Sequence, residues 1–173
     1  RHIKCVLELG GKSPQIVFED ADLDRALGFV LKAITQNGGQ TCSAGSRLLV
    51  QASIYDSFVA RVVERFKESA AGTPAMDRDC GPLINAAQKQ RVEGFIHRAV
   101  DSGLPLLAQG QVASGVPAGG YYVAPALFGN VPREHELACD EVFGPGLAII
   151  PFTDEDDAIE LAKLACLNDS GAA

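Results

Sequence analysis

Apolar side chains recur at every third or fourth position between residues 23 and 34 of the chain. This spacing places them on one face of an amphipathic helix. Asp20 or Asp22 can cap the start of that helix, and Asn37-Gly38-Gly39 supplies its end. The pattern therefore predicts a helix that is followed at once by a glycine-rich loop.

The same period predicts a second helix over about 53–71 and a third that carries Val92, Phe95, Ile96, Ala99 and Val100 and closes at Gly103. A last helix over 158–167 follows Thr153 and an acidic first turn, which suits the positive end of the helix dipole. Short apolar runs predict strands at 5–9, 15–18, 47–51, 104–108, 121–124, 126–128 and 147–152. Strands that alternate with helices predict an α/β fold, with a mostly parallel sheet flanked by helices.

Composition narrows the class of protein further. The 173 residues are 47% hydrophobic, which fits one ordinary domain and excludes intrinsic disorder. With 15 basic and 22 acidic residues the formal net charge is −7, so the chain is a poor candidate for binding nucleic acid or an anionic membrane. No apolar run is long enough to predict a membrane span.

The five cysteines are odd in number and widely scattered, and none forms a C-x-x-C pair. The three histidines show no ligand spacing among themselves or with the cysteines. We therefore expect no disulfide framework and no metal site. A reducing, cytoplasmic location is the corresponding expectation.

Cys42 lies in the glycine-rich loop 37–45, between the first helix and the next strand. Small neighbours would expose its sulfur and let backbone N–H groups approach an oxyanion, as a nucleophile requires. The alternative is an ordinary small residue that packs in a helix-stop loop. The loop by itself leaves both readings open.

Glu8 has apolar neighbours, just ahead of a double glycine. Apolar surroundings raise the pKa of a carboxylate when they desolvate it, which is how a general base is tuned toward neutrality. The alternative is an alternating strand in which Val6 and Glu8 face solvent while Cys5, Leu7 and Leu9 face inward.

Glu141 is followed by Phe143 and by a Gly-Pro turn that leads into the apolar run 147–152. A carboxylate in such a loop can accept hydrogen bonds from two ribose hydroxyls. Acidic residues beside turns are common, so this segment alone indicates little.

Taken together, these segments resemble the aldehyde dehydrogenase superfamily. The matching motifs are Glu8-Leu9-Gly10-Gly11-Lys12-Ser13-Pro14, Asn37-x-Gly39-Gln40-x-Cys42-x-Ala44-x-x-Arg47 and Glu141-x-Phe143-Gly144-Pro145. Their order agrees with the family, and so do the 34 positions from Glu8 to Cys42. The likeness continues through Gly81-Pro82-Leu83-Ile84 and covers essentially the whole chain.

The resemblance implies that Cys42 is the nucleophile, which attacks an aldehyde to give a thiohemiacetal and, after hydride transfer to NAD or NADP, a thioester. It implies that Glu8 is the general base for hydrolysis of that thioester. By the same resemblance Glu141 holds the nicotinamide ribose, Phe143 lies beside it, and the Leu9 carbonyl lies close to the nicotinamide amide.

The resemblance also implies how the chain is organised. Residues 1–173 would form part of the catalytic (thiol) domain of an oxidoreductase, truncated at both ends and without the family's N-terminal nucleotide-binding domain. We expect an aldehyde as substrate, a homodimeric or homotetrameric parent protein, and no activity of the isolated chain. NAD and NADP are not distinguished.

Two other functions stay open for the isolated chain. One is a cofactor-free thiol esterase in which Cys42 and Glu8 cleave activated esters. The other is a non-catalytic interaction fragment that pairs through an exposed face or a free sheet edge.

Overall fold

The computed structural model describes residues 2–167. In chain order its helices and strands are β1 (Pro14–Val17), α1 (Leu23–Thr35), β2 (Arg47–Gln51), α2 (Tyr55–Lys67), β3 (Ala70–Ala71), α3 (Ala86–Asp101), β4 (Leu106–Gln109), β5 (Gln111–Val112), β6 (Ala126–Phe128), α4 (Glu136–Cys139), β7 (Gly146–Phe152) and α5 (Glu155–Leu167). Short 3₁₀ turns lie at 36–39, 52–54 and 74–76.

Five of the strands form one sheet in the order β1-β2-β7-β6-β4. The β1–β2, β2–β7 and β7–β6 pairs are parallel, and only β4 runs antiparallel to its neighbour. Strands β3 and β5 form a separate two-stranded parallel pair. The predicted α/β class with a mostly parallel sheet is therefore confirmed.

Helices cover both faces of the five-stranded sheet. Alternate residues of each central strand point to opposite faces, so that Leu48 and Val50 pack with α1 and α2, whereas Leu49 packs with α3 and α5. Strand β7 divides in the same way, with Ile149 on the first side and Ile150 on the second. Burial on both faces explains why these strands read as continuous apolar runs in the sequence.

The helix ends follow the chemistry that the sequence predicts. Asp22 caps α1, with its carboxylate accepting a hydrogen bond from the Arg25 N–H at 3.1 Å. At α5 the cap is Asp154, whose carboxylate accepts from the Asp157 N–H at 3.0 Å. Within residues 2–167, no helix has the length and apolar character needed to cross a membrane.

Three predicted elements differ from those observed. The predicted strand at 5–9 is exposed chain without regular structure, because no described strand lies beside it to pair with. The run 121–124 also forms no strand. The second helix is shorter than predicted, since its ends become a 3₁₀ turn and the buried strand β3.

Arg47 ties together segments that are far apart in sequence. Its side chain is buried, with only 1% of its surface exposed. The guanidinium donates to the carbonyl oxygens of Lys12 at 2.7 Å, Leu161 at 2.6 Å and Ala162 at 3.0 Å. Arg47 thereby holds the segment before β1 and one turn of α5 in place.

We expect Arg47→Met to lower the free energy of unfolding by about 3–5 kcal/mol, because it leaves buried carbonyl groups without their charged donor. Urea unfolding followed by circular dichroism measures this. Arg61→Met is the matched control, since Arg61 is 40% exposed and pairs with the exposed Asp24; its loss should stay below about 1 kcal/mol. Equal losses in the two variants would contradict this role of Arg47.

Candidate active site

The three motifs singled out in the sequence precede three adjacent strands. Gly10-Gly11-Lys12 leads into β1, the Cys42 loop leads into β2, and Glu141 to Pro145 leads into β7. These strands are neighbours in the order β1-β2-β7 and run parallel. Their amino-terminal ends, and the loops before them, therefore lie along the same edge of the sheet, with Cys42 in the middle.

Gly11 is where these loops meet. A side chain at this position would begin 2.1 Å from the backbone carbonyl oxygen of Cys42, so only glycine allows the two backbones to approach this closely. On its other side the Gly11 N–H donates to Oε1 of Glu141 at 3.1 Å. One residue thus contacts both the Cys42 loop and the predicted ribose-binding carboxylate.

A second close approach joins the remaining pair of loops. Asn37, Gly38 and Gly39 all have left-handed backbone angles, with φ of 54°, 63° and 72°. A side chain at Gly39 would begin 2.2 Å from the carbonyl oxygen of Gly144. The Asn37 side-chain amide stabilises this turn by donating to the Gln40 carbonyl at 2.9 Å. The turn therefore packs the Cys42 loop against the loop before β7.

Cys42 is exposed, as a reactive thiol must be. Its loop turns sharply, with the Ala44 N–H donating to the Thr41 carbonyl at 2.9 Å. The thiols of Cys80 and Cys139 are less accessible. Burial raises the pKa of Cys80 to about 12, and Cys139 is partly buried, its sulfur donating to the Arg133 carbonyl at 3.2 Å. Cys5 is exposed but lies outside these loops.

The loop that carries Glu141 is held from α3. Gln88 donates from Nε2 to the carbonyls of Val142 at 3.2 Å and Phe143 at 2.7 Å. Arg91 donates to the Glu141 carbonyl at 2.7 Å. Phe143 is half-buried and has a φ of 56°, which is unusual for a residue with a side chain.

Sequence reasoning missed Gln88 and Arg91. They are three positions apart on α3 and therefore share one helix face, and both are polar residues on a helix whose other face is apolar. That spacing was visible in the sequence. What the sequence did not show is that the face meets the 141–143 loop.

Among the described residues, no hydrogen bond or ion pair joins Glu8 or Leu9 to these loops. Both lie in the exposed segment 2–10, and Leu9 is 67% exposed. Within the described part of the chain the Glu8 carboxylate makes no hydrogen bond or ion pair. Three residues of extended chain span at most about 10 Å, so Glu8 lies within that distance of Gly11. The alternative in which Cys5, Leu7 and Leu9 face inward is not observed.

Lys12 is a second buried basic residue, next to Gly11. Its side chain is 5% exposed, and Nζ has no hydrogen-bond partner among the described residues. Burial, and then the positive charge of Arg47, lower the pKa of Lys12 to about 7, against the opposing pull of Asp140 and Glu141. Nowhere in residues 2–167 do three or more His, Cys, Asp or Glu side chains gather in an arrangement that could hold a metal.

Comparison with known proteins places these loops in a family. The model of the aldehyde dehydrogenase family matches residues 1–168. Aldehyde dehydrogenase [NAD(P)+] 1 of Saccharomyces cerevisiae is 42% identical over 170 residues, which cover 92% of this chain and 33% of that protein.

Solved structures agree with that match. The crystal structure of a putative aldehyde dehydrogenase from Burkholderia cenocepacia has a TM-score of 0.88 and 54% identity, over 90% of this chain and 33% of that one. The NAD+ complex of an aldehyde dehydrogenase from Bacillus cereus has a TM-score of 0.82 and 35% identity, over 90% and 31%. The chain thus spans about a third of the length of these relatives.

We expect Gly11→Ala to separate the Gly11 and Cys42 backbones, because its methyl group would overlap the Cys42 carbonyl. The free energy of unfolding should fall by about 1–3 kcal/mol, and the rate at which iodoacetamide alkylates Cys42 should change relative to Cys5. Gly119→Ala is the control, since nothing lies within 4 Å of the added methyl group. If both substitutions behave alike, the close approach at Gly11 has no structural role.

The lowered pKa of Lys12 predicts a dependence of stability on pH. Between pH 7 and 10.5 the unfolded chain holds the Lys12 proton while the folded chain has released it, so stability should rise with pH in this window. The slope from this group is at most about 1.4 kcal/mol per pH unit. Lys12→Met should remove it and be more stable than the wild type at pH 7. Urea titrations at pH 7.5 and 8.5 test this, and unchanged slopes would be contrary to it.

Proposed function

Because the chain belongs to the aldehyde dehydrogenase family, we propose that it carries the nucleophile and the coenzyme-ribose carboxylate of an enzyme that oxidises aldehydes to carboxylic acids with NAD(P)+. The observation that carries this proposal is the double contact of Gly11, with the Cys42 carbonyl on one side and Glu141 on the other. It brings the two groups that the reaction needs to one edge of the sheet.

Cys42 acts as the nucleophile. Its thiolate attacks the aldehyde carbon, forming a carbon–sulfur bond and moving the carbonyl electron pair onto oxygen. The glycine-rich turn around Cys42 leaves its sulfur accessible, as attack by an incoming carbonyl group requires. Collapse of this thiohemiacetal expels a hydride and leaves a thioester on Cys42.

Glu141 and Phe143 would hold the coenzyme. Oε1 of Glu141 accepts from Gly11, whereas its other carboxylate oxygen accepts no hydrogen bond within the described chain and is free for a ribose hydroxyl. The residues present thus fit a nicotinamide nucleotide, which when bound supplies the acceptor for the hydride. By the family resemblance, Phe143 would lie beside the ribose of the bound coenzyme and the Leu9 carbonyl would lie close to its nicotinamide amide.

Glu8 completes the reaction as general base. It takes a proton from the water that attacks the thioester, which releases the carboxylic acid and restores the Cys42 thiol. The described contacts leave Glu8 exposed on a segment anchored at Gly11. An exposed carboxylate is accessible to the water molecule that it deprotonates after hydride transfer.

Relatives about three times as long carry the complete reaction, so we propose that the chain works as part of such a protein. Residues outside this chain would then hold the adenosine end of the coenzyme and complete the oxyanion site. The isolated chain would be inactive, and the whole protein a homodimer or homotetramer in the cytoplasm.

The test is NAD(P)H formation by the full-length protein that carries this sequence, with a panel of aliphatic and aromatic aldehydes. Cys42→Ser should abolish turnover, because a hydroxyl is a far weaker nucleophile. Cys80→Ser is the matched control, since its thiol is buried and has a pKa of about 12; turnover should continue.

Three outcomes would change the proposal. Full turnover in Cys42→Ser would remove Cys42 from the mechanism. Turnover by the 173-residue chain alone would show that the described loops suffice without further protein. Hydrolysis of activated esters that needs Cys42, with no NAD(P)H formed from any aldehyde, would instead support the esterase.

A further inference from the structure

The motif Gly81-Pro82-Leu83-Ile84 has no part in the mechanism above, but the structure places it beside the Cys42 loop. A side chain at Gly38 would begin 3.5 Å from the Gly81 carbonyl oxygen and 3.5 Å from a methyl group of Leu83. The turn at 36–39 therefore lies next to this motif. The motif belongs to the immediate surroundings of the proposed nucleophile.

Gln40 joins the two segments through its side-chain amide. Oε1 accepts a hydrogen bond from the Ile84 N–H at 2.9 Å, and Nε2 donates to the Asn37 carbonyl at 3.0 Å. Asn37 donates in return, from its own side-chain amide to the Gln40 carbonyl at 2.9 Å. Both ends of the half-buried Gln40 amide are therefore paired, which fixes the side chain two residues before Cys42.

The segment that Gln40 contacts is itself held in place. Leu83 is buried, and its N–H donates to the Tyr121 carbonyl at 2.8 Å. Asn85, which follows Ile84, caps α3 with its side chain. Ile84 is thus held between a buried residue and the start of a helix.

The same end of α3 holds the loop that carries Glu141. Gln88, in the first turn of the helix, donates to the carbonyls of Val142 and Phe143. Hydrogen bonds and one helical turn therefore connect Gln40, in the nucleophile loop, with the loop that is proposed to hold the coenzyme.

We propose that Gln40 is a positioning residue for hydride transfer: its side chain fixes Cys42 relative to the coenzyme loop, through Ile84 and α3. This inference rests on the function proposed for Cys42 and Glu141. In hydride transfer the C–H bond of the thiohemiacetal breaks, its electron pair passes with the hydrogen to NAD(P)+, and the hydroxyl proton leaves as the thioester carbonyl forms. The two reacting carbon atoms must be closely aligned in this step, so a small displacement of the Cys42 loop slows it steeply.

The experiment follows a single turnover of the full-length protein that carries this sequence, with saturating NAD(P)+ and enzyme in excess of aldehyde. Gln40→Met removes both hydrogen bonds of the amide, and NAD(P)H formation should slow about tenfold to a hundredfold. Deuterium at the aldehyde carbon should slow it further, because hydride transfer then limits the rate. Gln40→Glu keeps an acceptor for the Ile84 N–H and should lose less. Gln109→Met, on the exposed edge strand β4, is the matched control and should keep the wild-type rate.

Alkylation of Cys42 by iodoacetamide distinguishes positioning from a general loss of structure. Its rate should stay within about twofold of the wild type in both Gln40 variants, because the sulfur remains exposed and the reagent needs no alignment with the coenzyme.

Several results would overturn the inference. They are a wild-type rate of NAD(P)H formation in Gln40→Met, a Gln40→Met rate that deuterium does not change, equal losses in Gln40→Met and Gln40→Glu, and losses of alkylation and turnover by the same factor. Failure of the proposed function gives a different result: the wild-type protein would form no NAD(P)H, or Cys42→Ser would form it at the wild-type rate.

Discussion

The Gly11 backbone lies so close to the carbonyl oxygen of Cys42 that a Cβ atom at this position would overlap that oxygen. The same residue donates its N–H to Glu141. Gly39 makes the equivalent approach to Gly144 on the far side of the Cys42 loop. These two contacts join three loops, at residues 10–12, 37–45 and 141–145, into one surface, and the geometry of the proposed site depends on them.

The sheet provides the frame on which these contacts form. Because β1, β2 and β7 are adjacent and parallel, their preceding loops share an edge. Arg47 then fixes the approach to β1 against α5, and α3 holds the Glu141 loop through Gln88 and Arg91. This arrangement lowers the stability of the fold at Lys12, whose buried amine has no hydrogen-bond partner within the described chain.

Much of the fold could be predicted from the sequence, because local chemistry decided it. The Asp22 cap, the glycine stop after α1 and the apolar runs of β2 and β7 are each recognisable in a few residues. The strand at 5–9 was wrongly predicted, since an apolar run becomes a strand only where another strand can pair with it. Strand β3 was not predicted, because its residues continue the helical pattern of the sequence. It forms a strand by pairing with β5, which is not a local contact.

The candidate site residues were predicted by motif, but their connections were not. Nothing in the pattern around Gln88 shows that its amide reaches the carbonyl of Phe143, because that contact joins positions 55 residues apart. The burial of Lys12 was equally invisible, since a lysine beside two glycines reads as a solvated loop residue. Long-range packing determines both the Gln88 contact and the burial of Lys12. They are therefore seen only in the folded arrangement of β1, β2 and β7.

The most direct test of the account is to identify the atom that carries the acyl group. Full-length protein with Glu8→Gln would be mixed with an aldehyde and NAD(P)+, quenched in acid, digested and mapped by mass spectrometry. The account predicts that the peptide containing Cys42 gains the mass of the aldehyde less two hydrogens, since loss of the base should leave the thioester unhydrolysed. NAD(P)H formation without that adduct, or with the adduct on another cysteine, would contradict it.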